Sequence, residues 1–434
     1  MTQVESEQPG PSARAGTIPG SPAWNPTGRG QTGISDIAAL AERTGLHRVH
    51  IVAWRDLDDP EAGGSELHAH RVAELWAAAG VDVSVRTSRA DGLPAQATRS
   101  GYSVVRKSGR YLAFPRTILS AKSGRSGSWD GLVEIWNGMP FLSPLWHRGP
   151  RVVFLHHVHG EMWDMVLPKP LAGAGKLMER KLAPPLYRRT RVVTLSDSSR
   201  SEIVEMLGIP EQNVTVVPPG IEGAFSPGGH RSLHPLVVAV GRLVPVKRFE
   251  DLIEALVVLR LRHPTLEAMI IGEGYLRRDL ETLIARHGAG SWLRLAGRVD
   301  DATLLAAYRR AWLVASTSAR EGWGMTLTEA AACGTPAVVT RTVGHRDAVV
   351  HGQTGFLAED MDGLVDAMHA VVSDPKLRAR LGAGALSFAQ DFTWEATAHA
   401  TFAVLADEAA QQDGKSYGAL RPVPDLAPKG PPRS

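Results

Sequence analysis

Apolar residues along this chain gather in short runs separated by glycine-rich or polar breaks. Val49-His50-Ile51-Val52-Ala53-Trp54 is nearly all apolar and predicts a buried strand. A loop carrying Gly63-Gly64 follows. Ser65 can then cap a helix to about Ala79, with Leu67, Val72, Leu75 and Trp76 towards one side. Gly80 ends that helix, and Val81–Val85 predicts the next strand. Strand, loop, helix, strand is the repeating unit of a parallel sheet. Further strands are predicted at 132–136, 152–156, 192–195 and 214–217.

Pro218-Pro219-Gly220 breaks the pattern, and a second series begins. It predicts strands at 236–240, 268–271, 293–296, 313–316 and 337–340. Helices are predicted at 249–261, 302–310 and 325–333, the last stopped by Gly334. Two α/β series imply two doubly wound domains with a hinge near 218–235, and a ligand between them would meet the carboxyl ends of both sheets. The expected layout is a disordered leader over 1–45, a first domain over 46–225, a second over 226–390, a helix over 391–410 and a disordered tail over 411–434. Both ends are rich in Gly, Pro and polar residues.

At 434 residues the chain suits two domains, and no apolar run approaches the roughly 20 residues that span a bilayer. The N-terminus lacks the apolar core of a signal peptide, and Cys333 is the single cysteine; both fit a cytoplasmic protein. Net charge is only +3, but the positive residues cluster. One group is Arg106, Lys107, Arg110, Arg116, Lys122 and Arg125; another is Lys176, Arg180, Lys181, Arg188, Arg189 and Arg191. Solvated surface is the favoured reading for most of them. Peripheral contact with an anionic membrane, at its inner face, is the sharper one. A nucleic-acid partner is not expected, because no nucleic-acid motif or aromatic interleaving accompanies these cations.

The most informative segment runs from Glu321 through Gly322, Gly324 and Glu329 to Gly334-Thr335-Pro336. Its glycines let backbone approach a ligand, and the amides of Gly324, Met325 and Thr326 open a helix that can bind a diphosphate. Carboxylates there suit sugar and ribose hydroxyls. This segment resembles the Glu-x7-Glu signature of retaining family-4 glycosyltransferases, over roughly residues 48–400. The resemblance implies the GT-B fold: two Rossmann-like α/β domains facing a central cleft. It implies that Glu321 contacts the donor sugar and Glu329 the ribose. Arg242 and Lys247, in Gly241-Arg242-Leu243-Val244-Pro245-Val246-Lys247, match the pair that grips the donor diphosphate. Arg248 stands where the family often has glycine. Gly63 and Gly64 resemble the family's N-terminal glycine loop beside the donor phosphates.

His156, His157 and His159 follow a strand, and the family often has a histidine near the reacting sugar there. His159 is the best match, with the other two as alternatives. A zinc site is disfavoured, since neighbours on an extended segment face opposite ways. Asp56-Leu57-Asp58 spells a metal-binding Asp-x-Asp of a different fold and is rejected, as is Asp360-Met361-Asp362. Softer matches are Ser196-Asp197, Pro219-Gly220-Ile221 and Gly272-Glu273-Gly274, with the nucleotide base near Arg298 and Val299. Trp394 is expected as a buried anchor of the returning helix. The expected reaction is sugar transfer from a UDP- or GDP-sugar to a glycosyl acceptor, of lipid or cell-envelope glycan type, with no cofactor and no metal. Catalytic assignments are His159, Glu321, Arg242 and Lys247. The other readings are nucleotide-sugar epimerisation, phosphorolysis, or sugar-nucleotide binding without turnover.

Overall fold

The computed structural model describes residues 28–109, 112–122, 128–412 and 414. Eight strands build the first sheet: β1 Arg48–Val52, β2 Asp82–Thr87, β3 Gln96–Arg99, β4 Tyr102–Arg106, β5 Gly131–Ile135, β6 Arg151–Phe154, β7 Arg191–Thr194 and β8 Val214–Val216. Their order is β3-β4-β2-β1-β5-β6-β7-β8, and all pair in parallel except β3 with β4. Every residue of β5 is buried, as expected for a strand covered on both faces.

Six strands build the second sheet: β9 Leu236–Val240, β10 Glu267–Ile271, β11 Leu293–Gly297, β12 Leu313–Ser316, β13 Ala337–Thr340 and β14 Gly355–Ala358. The order β11-β10-β9-β12-β13-β14 is wholly parallel. Counted within its own domain this is 3-2-1-4-5-6, the doubly wound order whose switch point lies between the first and fourth strands. In the first sheet the corresponding switch lies between β1 and β5. Loops leaving both switch points face one another across the cleft.

The two GT-B domains expected from the sequence are therefore present. The chain returns from the second to the first through the helix Trp394–Gln412, twelve of whose residues are buried. Trp76 Nε1 donates to the Ala398 carbonyl at 2.9 Å, and its ring meets Phe402 edge-on at 5.2 Å. Gly220 is fixed by this crossing: a Cβ there would lie 2.2 Å from the Trp394 amide nitrogen.

Three local expectations change. The leader predicted as disordered to residue 45 instead contains the helix Gly28–Thr44, which buries Ile37, Leu40 and Ala41 against the returning helix. Residues 1–27 lie outside the described residues, as does nearly all of the predicted tail. Ser65 is not the cap of its helix. Gly63 holds that position, and the Glu66 carboxylate accepts from the Gly63 amide at 2.8 Å. The hairpin β3–β4 was not predicted; its Ser100-Gly101 turn has positive φ at both residues, 42° and 87°.

Candidate functional site

A single large cleft between the domains contains every residue assigned to the site from sequence: Gly63, Gly64, His159, Arg242, Lys247, Glu321, Gly324, Met325, Thr326 and Glu329. Its volume is about 1870 Å³. That exceeds the roughly 300–1,000 Å³ typical of one small ligand and leaves room for two substrates together.

The second domain supplies the charged floor. Arg242 and Lys247 leave β9, and Glu321 leaves the loop after β12, so the pair straddles the switch point. Lys247 Nζ lies 2.5 Å from Glu321 Oε1. Burial pushes the Glu321 carboxyl up, but the Lys247 ammonium and His345 outweigh it and hold the carboxyl at about 2. Glu321 is thus ionised at neutral pH, and it faces the cleft as a hydrogen-bond acceptor. Arg248 adopts φ 50°, the left-handed region that a glycine would enter freely, and pairs with Asp251 on the helix that follows. The departure from the family glycine therefore keeps the turn.

Gly324, with φ 114°, opens the helix Met325–Ala332. The first donor to a helical carbonyl is Leu327, to Gly324 O at 2.9 Å. Helix geometry leaves the Met325 and Thr326 amides directed out of its end, at the cleft wall. Glu329, one turn in, accepts a hydrogen bond from the Tyr308 hydroxyl at 2.9 Å. Gly272 and Gly274 serve packing: a Cβ at either would sit within 2.3 Å of the carbonyl of Gly241 or Leu243. They press the loop after β10 against the loop that carries Arg242. Arg298 and Val299, named for the base, line the same cleft.

The first domain supplies the opposite wall. Cβ atoms added to Gly63 and Gly64 would meet Arg242 Nε at 3.7 Å and Met325 Sδ at 3.1 Å. The glycine pair thus lets the two domains approach. Arg242 Nη1 donates to Glu61 O at 3.1 Å, and Arg298 Nη2 to Pro60 O at 2.7 Å. Arg320 spans the domains to Glu202 and to the Val158 carbonyl at 3.1 Å, and the Ser198 hydroxyl donates to Asp347. Ser196 has a local role: its side chain caps the helix Asp197–Leu207 through the Ser199 amide at 3.1 Å.

All three histidines line the cleft, because the chain has left β6 at Phe154 and no longer alternates. Burial depresses each, His156 and His157 to about 3 and His159 to about 4. All are neutral near pH 7. His156 Nε2 lies 3.2 Å from His68 Nδ1, a buried structural pair. The His159 amide is tied to the Glu179 carboxylate at 2.7 Å, and its ring packs on Trp163. Only His157, of the three, lies in the electrostatic field of both Glu321 and Arg242. His157 and His159 stack on each other at 4.9 Å, so both rings, the sequence choice His159 included, stand at the cleft wall.

Among the described residues no three His, Cys, Asp or Glu side chains gather as a metal cage. Asp56 and Asp58 are committed elsewhere. Asp56 Oδ2 meets Arg106 Nε at 2.5 Å, Asp58 meets Arg106 at 3.0 Å, and Arg99 bridges both. Arg106 is thereby buried, not solvated as its cluster suggested. Lys176, Arg180 and Arg191 likewise pair with neighbouring carboxylates. Tyr308, His345 and Arg320 were missed in the sequence, since each reaches the site only through tertiary contact.

Two facing doubly wound domains with cations and carboxylates at their shared switch points define a GT-B enzyme site. The family model for Glycosyltransferase Family 4 matches residues 62–224, and that for Glycosyl transferases group 1 matches residues 221–387. The chain belongs to the group 1, family 4 glycosyltransferases. It is 34% identical over 216 residues to the glycogen synthase of Mycobacterium tuberculosis, a match covering 48% of this chain and 52% of that protein, about half its length. It is 27% identical over 405 residues to the D-inositol 3-phosphate glycosyltransferase of Acidothermus cellulolyticus, covering 81% of this chain and 87% of that one. The fold is similar to that of sucrose-phosphate synthase from Thermosynechococcus elongatus, with TM-score 0.73, 19% identity and coverage of 84% and 100%. It is also similar to Anabaena Alr3699/HepE in complex with UDP-glucose, with TM-score 0.63, 19% identity and coverage of 85% and 99%.

Proposed function

We propose that this protein transfers a sugar from a nucleotide-sugar donor to an acceptor with retention of anomeric configuration and without a metal ion. The observation that carries the reading is convergence: Gly63-Gly64, Arg242, Lys247, Glu321 and Glu329, assigned from sequence alone, line one interdomain cleft.

In this reading Arg242, Lys247 and the Met325 and Thr326 amides hold the donor diphosphate. Charge grows on that group as the glycosidic bond breaks, and fixed cations stabilise it without reorganising. Ionised Glu321 accepts from donor-sugar hydroxyls, and Glu329, steadied by Tyr308, accepts from the ribose. The neutral histidines, His157 foremost, donate to or accept from sugar hydroxyls and carry no charge to the reacting centre. The leaving diphosphate takes the acceptor proton in a front-face substitution. The complex of Alr3699/HepE with UDP-glucose supports a UDP-sugar, with a GDP-sugar as the other choice. The single buried cysteine fits a cytoplasmic enzyme.

A donor screen tests the proposal. Calorimetry with UDP-, GDP- and ADP-sugars, with and without EDTA, should find one donor whose binding ignores EDTA and weakens in Glu329→Ala and Lys247→Ala. Product analysis with that donor should then give an acceptor glycoside of the same anomeric configuration. An isomerised donor, or binding with no transfer to any acceptor, would displace it in favour of epimerisation or a binding role.

A further inference from the structure

A second, smaller cavity of about 640 Å³ lies beside the cleft, on the other side of the helix Ala113–Lys122. That helix sends Phe114 to the main cleft and Arg116 to this cavity, so the two share a wall. Four cations line it: Arg86 at the end of β2, Arg89 and Lys107 just beyond β2 and β4, and Arg116. Arg89, Lys107 and Arg116 form an exposed rim, while Arg86 lies at the base, only 7% exposed.

Among the described residues none of the four is paired with a carboxylate. The sequence explains why: positions 92–129 contain no Asp or Glu, yet hold Arg99, Arg106, Lys107, Arg110, Arg116, Lys122 and Arg125. Arg99 and Arg106 reach Asp56 and Asp58, outside that stretch, but the four cavity cations do not. Among the described residues, Arg86 Nη2 donates to the Arg116 carbonyl at 3.3 Å, and its Nε, shielded from solvent, has no partner. Burial pulls its guanidinium below its ordinary value. Taking a guanidinium out of water with no counter-charge is costly. The adjoining backbone is held at cost too, since Ser108 has φ 74°. A base-and-rim set of guanidinium and ammonium donors fits a tetrahedral phosphate anion, which accepts several charge-assisted hydrogen bonds at once.

We propose that Arg86, Arg89, Lys107 and Arg116 form a phosphate-binding pocket, separate from the donor cleft, that holds a phosphate monoester or diester group. The same chemistry is offered by a soluble phosphate ester and by an anionic lipid headgroup. The shared helical wall sets such a group on the acceptor side of the cleft.

The test uses the full chain with Arg242→Ala and Lys247→Ala, so that phosphate taken up by the donor site cannot be mistaken for this pocket. Inorganic phosphate is titrated against chloride at equal ionic strength, with the melting temperature as the readout. A saturable rise in Tm is expected, with about tenfold weaker phosphate binding after Arg86→Met. A second variant, Lys107→Ala with Arg89→Ala, alters only exposed rim residues and should weaken binding without lowering the starting Tm. Flotation with phosphatidylglycerol-containing vesicles against pure phosphatidylcholine distinguishes the sources. Arg86-dependent capture that phosphate competes away identifies a lipid phosphate; saturable phosphate binding without capture identifies a soluble ester. Equal responses to phosphate and chloride, or a phosphate response unchanged in both variants, would overturn the pocket.

Discussion

Lys247 Nζ lies 2.5 Å from Glu321 Oε1, linking the loop after β9 to the loop after β12 across the switch point of the second domain. The ammonium keeps a half-buried carboxyl ionised, and the pair lies at the cleft. A donor diphosphate arriving beside Lys247 would find the cation already positioned.

Lys247→Ala is therefore expected to lower kcat by about 100- to 1,000-fold, as loss of a fixed donor at a developing anion does elsewhere. It should also release the Glu321 carboxyl upwards from about 2. The sign follows from linkage: a depressed folded value contributes stability above the unfolded value of 4.5, lost as pH falls towards 2. In Lys247→Ala the folded value moves back towards 4.5, so this contribution and its acid loss should shrink. Carboxyl NMR of labelled Glu321 checks it, and an unchanged titration would break the link between the two residues.

The histidines make a second prediction. His50, His70, His156 and His157 are held at about 3 and His159 at about 4, each chiefly by burial. Unfolding returns them to about 6.5, so the unfolded chain takes up protons that the folded chain refuses. Stability should be full above pH 6.5 and fall steadily as pH drops towards 3. Urea midpoints at pH 7.5 and 5 measure this; equal midpoints would mean that these rings are not held neutral by the fold. Within the cleft, His157→Ala should reduce transfer more than His159→Ala.

Domain closure yields a third. A Cβ on Gly322 would lie 2.7 Å from the His156 carbonyl, backbone of the opposite domain. Gly322→Ala should therefore hold the cleft ajar. We expect at least about tenfold loss of kcat/KM, since misplacement near 1 Å can cost 100-fold. Because the clash is between domains, Tm should move little. Wild-type turnover would show that closure does not bring these backbones together during catalysis.

Much of this was legible because the signals are local. β9, β12 and β13 match their predicted bounds because buried parallel strands are apolar runs cut by glycine or polar turns. The Glu321–Glu329 segment was readable because its glycines sit next to the carboxylates they serve. The missed pieces depend on distant partners. The helix Gly28–Thr44 buries few residues, and what holds them is a helix more than 350 positions later. β3 reads Gln-Ala-Thr-Arg, polar because it is an edge strand. That all three histidines reach the cleft depends on where the chain leaves β6, a matter of tertiary path.

The returning helix gives the last prediction. Phe402 is fully buried against Trp76, while Asp407, which pairs with Arg191 at 2.9 Å, is more than a third exposed. Both lie on one helix and both contact the first domain. Phe402→Ala removes a ring from a packed core and should cost about 3–5 kcal/mol. Asp407→Ala removes a solvent-screened ion pair and should cost under about 1 kcal/mol. Because the helix caps the first domain, the Phe402 loss should unfold that domain first and leave the second domain folded. Denaturant unfolding with a donor-binding probe alongside tryptophan fluorescence resolves the two steps. A single step with both signals lost together would mean instead that the domains unfold as one unit.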